Sequence, residues 1–104
     1  MREEDQDLSS DPRPTVLLGR RLRFEEAPGL AMLLLGKRGA ALEIDASEVS
    51  ELGTPCLQVL LAAAVTWRTD GEAFSLANPS PEMLATLAQF GLDAGALNSE
   101  GRPE

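Results

Sequence analysis

The chain of 104 residues contains no His, no Tyr and a single Cys, and only 4% of it is aromatic. Each shortage removes a class of chemistry. Without His the commonest general base is missing, and neither a Cys–His nucleophile nor a triad hydrolase of the usual form can be assembled. Cys56 stands alone, so no intrachain disulfide forms, and the strong ligand types of a zinc site are absent. The nine glycines never fall at G-x-G-x-x-G or Walker A spacing, so no phosphate-cradling loop is indicated and no cofactor is expected. Long apolar runs are missing too. The longest, Leu57 to Val65, is interrupted by Gln58 and falls well short of the roughly 20 residues needed to cross a bilayer. The start, Met-Arg-Glu-Glu-Asp-Gln-Asp, lacks the basic opening and apolar stretch of a secretory signal, so the expected location is cytoplasmic, without membrane insertion.

What is abundant is acid: 17 Asp and Glu against 9 Lys and Arg, a formal charge of −8. Affinity for nucleic acid comes chiefly from Lys and Arg neutralising phosphates, so direct nucleic-acid binding is excluded as an expectation. The excess sits at the two ends. Residues 1–13 carry five acids and two Arg, and residues 93–104 three acids and one Arg, in stretches poor in large apolar side chains. Both read as disordered, solubilising segments flanking one domain at 14–92.

Within that domain the hydrophobic period switches repeatedly, with Gly or Pro at each switch. Thr15-Val16-Leu17-Leu18 is a short β-rich run, and Arg20 to Phe24 reads as a connection. Pro28 suits a first helical turn; Leu30, Ala31, Leu34 and Leu35 keep helical spacing up to Gly36. Ala41 to Asp45 alternates as a second strand, followed by a loop from Ala46 to Gly53. Thr54 is placed to cap the next helix through its hydroxyl, with Pro55 at the first position, and that helix runs to about Arg68. Phe74 to Ala77 is a third strand, and Ser80-Pro81 repeats the cap-then-proline start for a helix through Phe90. The βαβαβα order predicts an α/β sandwich, a small and largely parallel sheet with helices packed on it.

Few residues are candidates for chemistry. Glu43, Asp45, Glu48 and Glu51 lie close in sequence, but charges on a strand end and a loop are ordinarily solvated. Cys56 lies at a helix start, where the dipole lowers a thiol pKa, but a lone Cys more often serves as a small buried hydrophobe, and packing is the favoured reading. On the central helix, Leu57, Leu60, Leu61 and Ala64 form a core stripe that Cys56, Val59, Ala63 and Trp67 widen. Gln58, Ala62, Thr66 and Thr69 leave a thin polar side. One flank is therefore either an exposed apolar partner surface or hidden by neighbouring helices.

The segment Gly53-Thr54-Pro55-Cys56-Leu57, preceded by a strand ending at Asp45 and by Val49, resembles the Asp-Ser-Ser-Gly-Leu-like motif that opens a helix in the STAS family. Asn78-Pro79-Ser80-Pro81, with Leu84, Leu87 and Gly91-Leu92, resembles that family's last strand and helix. The family includes anti-sigma-factor antagonists, STAS subunits of bacterial lipid-transport ABC systems and chemotaxis-associated STAS proteins; the Cys-Leu-Gln-Val-Leu-Leu-Ala run with Thr66-Trp67 is most similar to the last group. In the antagonists the second motif Ser is phosphorylated. Pro55 stands at that position here, Gly53 replaces the motif Asp, and Thr54 is the remaining hydroxyl.

The resemblance implies a non-enzymatic regulatory module in bacterial signal transduction that docks a protein partner through Ser47, Val49, Ser50, Gly53, Thr54, Pro55, Cys56, Gln58 and Val59. It implies as partner a histidine-kinase-type ATPase or another chemotaxis component. The alternatives are a small subunit stabilising an ABC lipid-transporter ATPase, or an anti-sigma-factor antagonist switched by phosphorylation at Thr54. Self-association into a homodimer through the apolar flank is a further alternative.

Overall fold

A computed structural model describes residues 14–99. Strand β1 (Thr15–Leu17) pairs in parallel with β3 (Leu42–Asp45), which pairs in parallel with β5 (Phe74–Ala77), giving the sheet order β1-β3-β5. The register sets Val16, Ile44 and Leu76 in one row and Leu42 beside Phe74 in the next. Because successive side chains alternate between faces, these residues share one side of the sheet, and all but the half-buried Leu76 are buried. The other side carries Thr15, Leu17, Glu43, Asp45 and Ser75, mostly polar and partly exposed. A parallel sheet is usually covered on both faces, and this one buries its apolar side alone.

Helix α1 (Ala27–Leu35) packs on α2 (Thr54–Asp70), and α2 packs on β5. α2 buries Cys56, Leu57, Leu60, Ala63, Ala64 and Trp67, the face its spacing predicts. It ends at Gly71, whose left-handed backbone (φ 74°) turns the Glu72 N–H back onto the Trp67 carbonyl at 2.9 Å. α3 (Pro81–Gln89) starts as predicted, with the Ser80 hydroxyl accepting the Met83 N–H at 3.1 Å. The α/β class and the strand–helix alternation agree with the sequence expectation.

Three local expectations are corrected. The Arg20–Phe24 connection contains a two-residue strand, β2 (Arg21–Leu22), paired in parallel with β4 (Glu51–Leu52) inside the predicted loop. Thr54 does not cap α2: Gly53 occupies the cap position, its carbonyl accepts the Leu57 N–H at 3.0 Å, and Thr54 is already the first helical residue. Residues 93–99, expected in the C-terminal tail, are ordered. Asp93 caps a 3-10 turn at Ala94–Leu97, Leu97 is buried, and Ser99 exchanges backbone hydrogen bonds with Phe74 at 2.7 and 2.6 Å on the free edge of β5. An edge strand seeking partners and one buried Leu suffice to order a stretch whose composition is otherwise that of a tail. The predicted acidic arm, 1–13, and the rest of the predicted tail, 100–104, lie outside the described residues.

Candidate functional site

The loop between β3 and α2 is built from both ends and clamped from both sides. At its start the Asp45 Oδ1 accepts the Ser47 N–H at 2.9 Å, an Asx turn. That hydrogen bond, seconded by the Ser47 hydroxyl, holds the Asp45 carboxyl below the usual carboxylate range; burial opposes it, and the Asn78 amide adds a lesser lowering. Ala46 then bonds across to the β5–α3 connection: its N–H donates to the Ala77 carbonyl at 2.9 Å, and its carbonyl accepts the Ser80 N–H at 3.2 Å. Ser80 does more than cap α3. Its hydroxyl also donates to the Val49 carbonyl, so one buried side chain ties the loop to the third helix.

On the other side the backbone of residues 20–23 supplies a row of acceptors. The Arg20 carbonyl takes the Ser50 N–H at 2.7 Å, the Ser50 hydroxyl at 3.0 Å and the Glu51 N–H at 3.1 Å. The Leu22 carbonyl takes the Gly53 N–H at 2.8 Å, and the Arg23 carbonyl takes the Cys56 thiol at 3.2 Å. Gly53 suits this close approach, since a Cβ there would lie 3.1 Å from the Leu22 carbonyl oxygen, a tight contact that the neighbouring backbone would have to yield to by a few tenths of an ångström. The Asp of the resembled motif would crowd the Leu22 carbonyl at that position.

The predicted contact residues therefore divide. Ser47, Ser50, Thr54, Pro55 and Gln58 are exposed along one ridge from the loop into the first turns of α2, and Gly53 and Val59 are half-buried. Val49 and Cys56 are corrected: both are buried, Val49 at 1% exposure and Cys56 at 0%, so they support the ridge from beneath and offer no partner contact. Beside the ridge lies a polar depression of about 300 Å³ lined by Arg20, Ser47, Glu48, Val49, Ser50 and Glu82. Arg20 and Glu82 carried no sequence signal, because their nearness to the loop depends on segments distant in the chain.

Two of the candidate acids have structural partners. Glu51 pairs with the Arg23 guanidinium at 3.4 Å, and Asp45 is committed to Ser47. Burial pushes the Cys56 thiol up, and the nearby Glu26 charge adds to the effect, so the helix dipole does not produce a reactive thiolate. In the native protein, Cys56 should react with a thiol reagent such as DTNB at least about a hundredfold more slowly than in the unfolded chain. Stopped-flow absorbance with and without guanidinium measures that ratio. A similar rate in both states would place the sulfur at the surface.

The flank of α2 left open by its thin polar side borders α1. An apolar groove of about 200 Å³ separates the helices, lined by residues that include Leu34, Leu35, Val59, Ala62 and Thr66. α1 thus covers this flank in part, and Val65, further round the helix, is 53% exposed. Among the described residues no helix is long and apolar enough to cross a membrane.

Compared with known proteins, the chain matches over residues 10–98 the family model described as Mlab, STAS domain. No curated protein and no solved structure matches it.

Proposed function

From the premise that this chain belongs to the STAS domain family, a fold of regulatory and anti-sigma-factor-antagonist-like modules, we propose that it is a non-enzymatic cytoplasmic regulator. It acts by docking a protein partner on the ridge of Ser47, Ser50, Thr54, Pro55 and Gln58. One observation carries this reading: exposed side chains, short apart from Gln58, stand on a backbone already immobilised by hydrogen bonds to residues 20–23 and to Ser80. Short side chains lose little rotamer entropy on binding, and a pre-formed loop loses little backbone entropy. The partner class comes from the resemblance: a histidine-kinase-type ATPase or another chemotaxis component.

The alternatives place other partners on the same ridge. The exposed hydroxyl of Thr54, at the positive end of a 17-residue helix, favours an anti-sigma-factor-antagonist switch phosphorylated there. A transporter ATPase held by an unmodified Thr54 is the structural-subunit reading.

Affinity capture from the native cells, with mass spectrometry of co-purifying proteins and of Thr54, separates them. The proposal expects a sensor kinase or chemotaxis protein; a transporter ATPase with unmodified Thr54 would shift the function to a structural subunit. For the captured partner, the double variant Thr54→Arg/Gln58→Arg should weaken binding at least about tenfold while the far-UV circular dichroism stays unchanged. Full binding by that variant would move the docking site off the ridge.

A further inference from the structure

The nine residues of α1, Ala-Pro-Gly-Leu-Ala-Met-Leu-Leu-Leu, include no polar side chain, yet only Leu30 and Leu34 are buried. Helices apolar all round belong in a core. Here the outward stripe Pro28, Met32 and Leu35, at i, i+4 and i+7, faces solvent, with Met32 75% and Leu35 60% exposed and Leu33 beside them at 45%. Gly29 lies on the same side, where an added Cβ would meet nothing within 4 Å, so another backbone has space to approach.

The charges at the ends of α1 indicate what covers it. Glu25 and Glu26 precede the helix, and Lys37 and Arg38 follow it. Glu25 stands two residues before the first helical residue and Lys37 two after the last, so they are symmetric about the midpoint, Ala31. Arg38 is held by Asp70 in a bidentate pair at 2.8 and 3.0 Å, whereas Glu25, Glu26 and Lys37 make no ion pair among the described residues. We propose that α1 is a self-association surface, on which the α1 of a second copy of this chain packs antiparallel about a two-fold axis near the helix midpoint. In that arrangement the Met32–Leu35 stripes bury each other, the acids of each copy meet Lys37 of the other, and the helix dipoles oppose. An anionic membrane surface is the poorer occupant, since two acids open the helix and the whole chain carries −8. A single short helix per copy buries less than a standard interface, so the dimer is weak and exchanges with monomer.

Sedimentation velocity of the full chain from about 10 µM to about 1 mM covers the affinities expected of so small an interface. Wild type should pass from monomer to dimer in this range. Met32→Glu should raise the dissociation constant at least about tenfold, and Lys37→Glu or the pair Glu25→Lys/Glu26→Lys should each raise it several-fold. Combining all three charge reversals should restore the wild-type value to within about twofold, because a two-fold interface with both ends exchanged regains its pairing. Circular dichroism confirms that each variant is folded. A wild-type monomer at every concentration, an unchanged constant for Met32→Glu, or no restoration by the combined reversal would each overturn the proposal. Dimerisation appearing only after removal of residues 1–13 would also overturn it, making that arm the occupant.

Discussion

Replacing Trp67 by Ala is expected to lower the free energy of unfolding by about 4 kcal/mol, a large part of the ~5–15 kcal/mol available to a small domain. The indole is 1% exposed and tilts against Phe74 of β5, the ring centroids 5.3 Å apart at 44°. Its Nε1–H donates to the Ala40 carbonyl at 2.7 Å, fixing the turn between α1 and β3. One side chain therefore joins α2, the sheet and that turn, and its removal leaves a cavity beside a groove that already separates the helices. Trp67→Phe keeps most of the packing and loses the Ala40 hydrogen bond, so a cost nearer 1–2 kcal/mol is expected. Guanidinium titration followed by far-UV circular dichroism measures both variants, since each removes the only indole. A loss below about 1 kcal/mol for Trp67→Ala would mean that the α2–β5 contact is not the centre of the core.

The second large effect is at Ser80. Ser80→Ala removes the acceptor that caps α3 through the Met83 N–H and the donor that ties down the Val49 carbonyl. A lost cap costs about 1 kcal/mol and a buried carbonyl deprived of its donor about 1–3 kcal/mol, so the sum is expected near 2–3 kcal/mol. Ser80→Asp separates the two roles. An ionised carboxylate still accepts the Met83 N–H but has no proton to give to Val49. Denaturation should place its stability below wild type, and hydrogen exchange should show faster opening at Ser50 and Glu51, whose amides bond to Arg20. Equal exchange rates in wild type and Ser80→Asp would show that the Arg20 side holds the loop unaided. Partner affinity should fall with loop order, because part of the binding free energy would then go into re-ordering the ridge.

These two residues also mark how far the sequence could be read. Ser80 was recognisable as a helix cap, since Ser-Pro before an apolar period is a local signal and capping acts within three residues. Its second bond, to Val49, spans 31 positions and left no trace. Cys56 and Val49 belong to the segment that carries the family resemblance, yet only the packed structure turns them inward. Thr54 looks like a cap in sequence, yet the extended backbone of Gly53, packed close to the Leu22 carbonyl, takes the cap position and leaves Thr54 as the first helical residue. Composition makes residues 93–99 look like a tail because it averages over Leu97, the one Leu there, which is buried.

By itself, then, the sequence determined the α/β class, the three principal strands, the three helices to within a residue or two, and the family. Those features follow from side-chain period, proline, glycine and caps, forces acting over a few neighbouring residues. Only the tertiary structure decided which motif residues face out, that residues 20–23 and Ser80 clamp the loop, that 93–99 close the β5 edge, and that the outward stripe of α1 is left uncovered. The clamping bonds at Ser50, Cys56 and Ser80 join residues 30, 33 and 31 positions apart. Whether a given side chain is covered depends on such distant neighbours, and no local period records them.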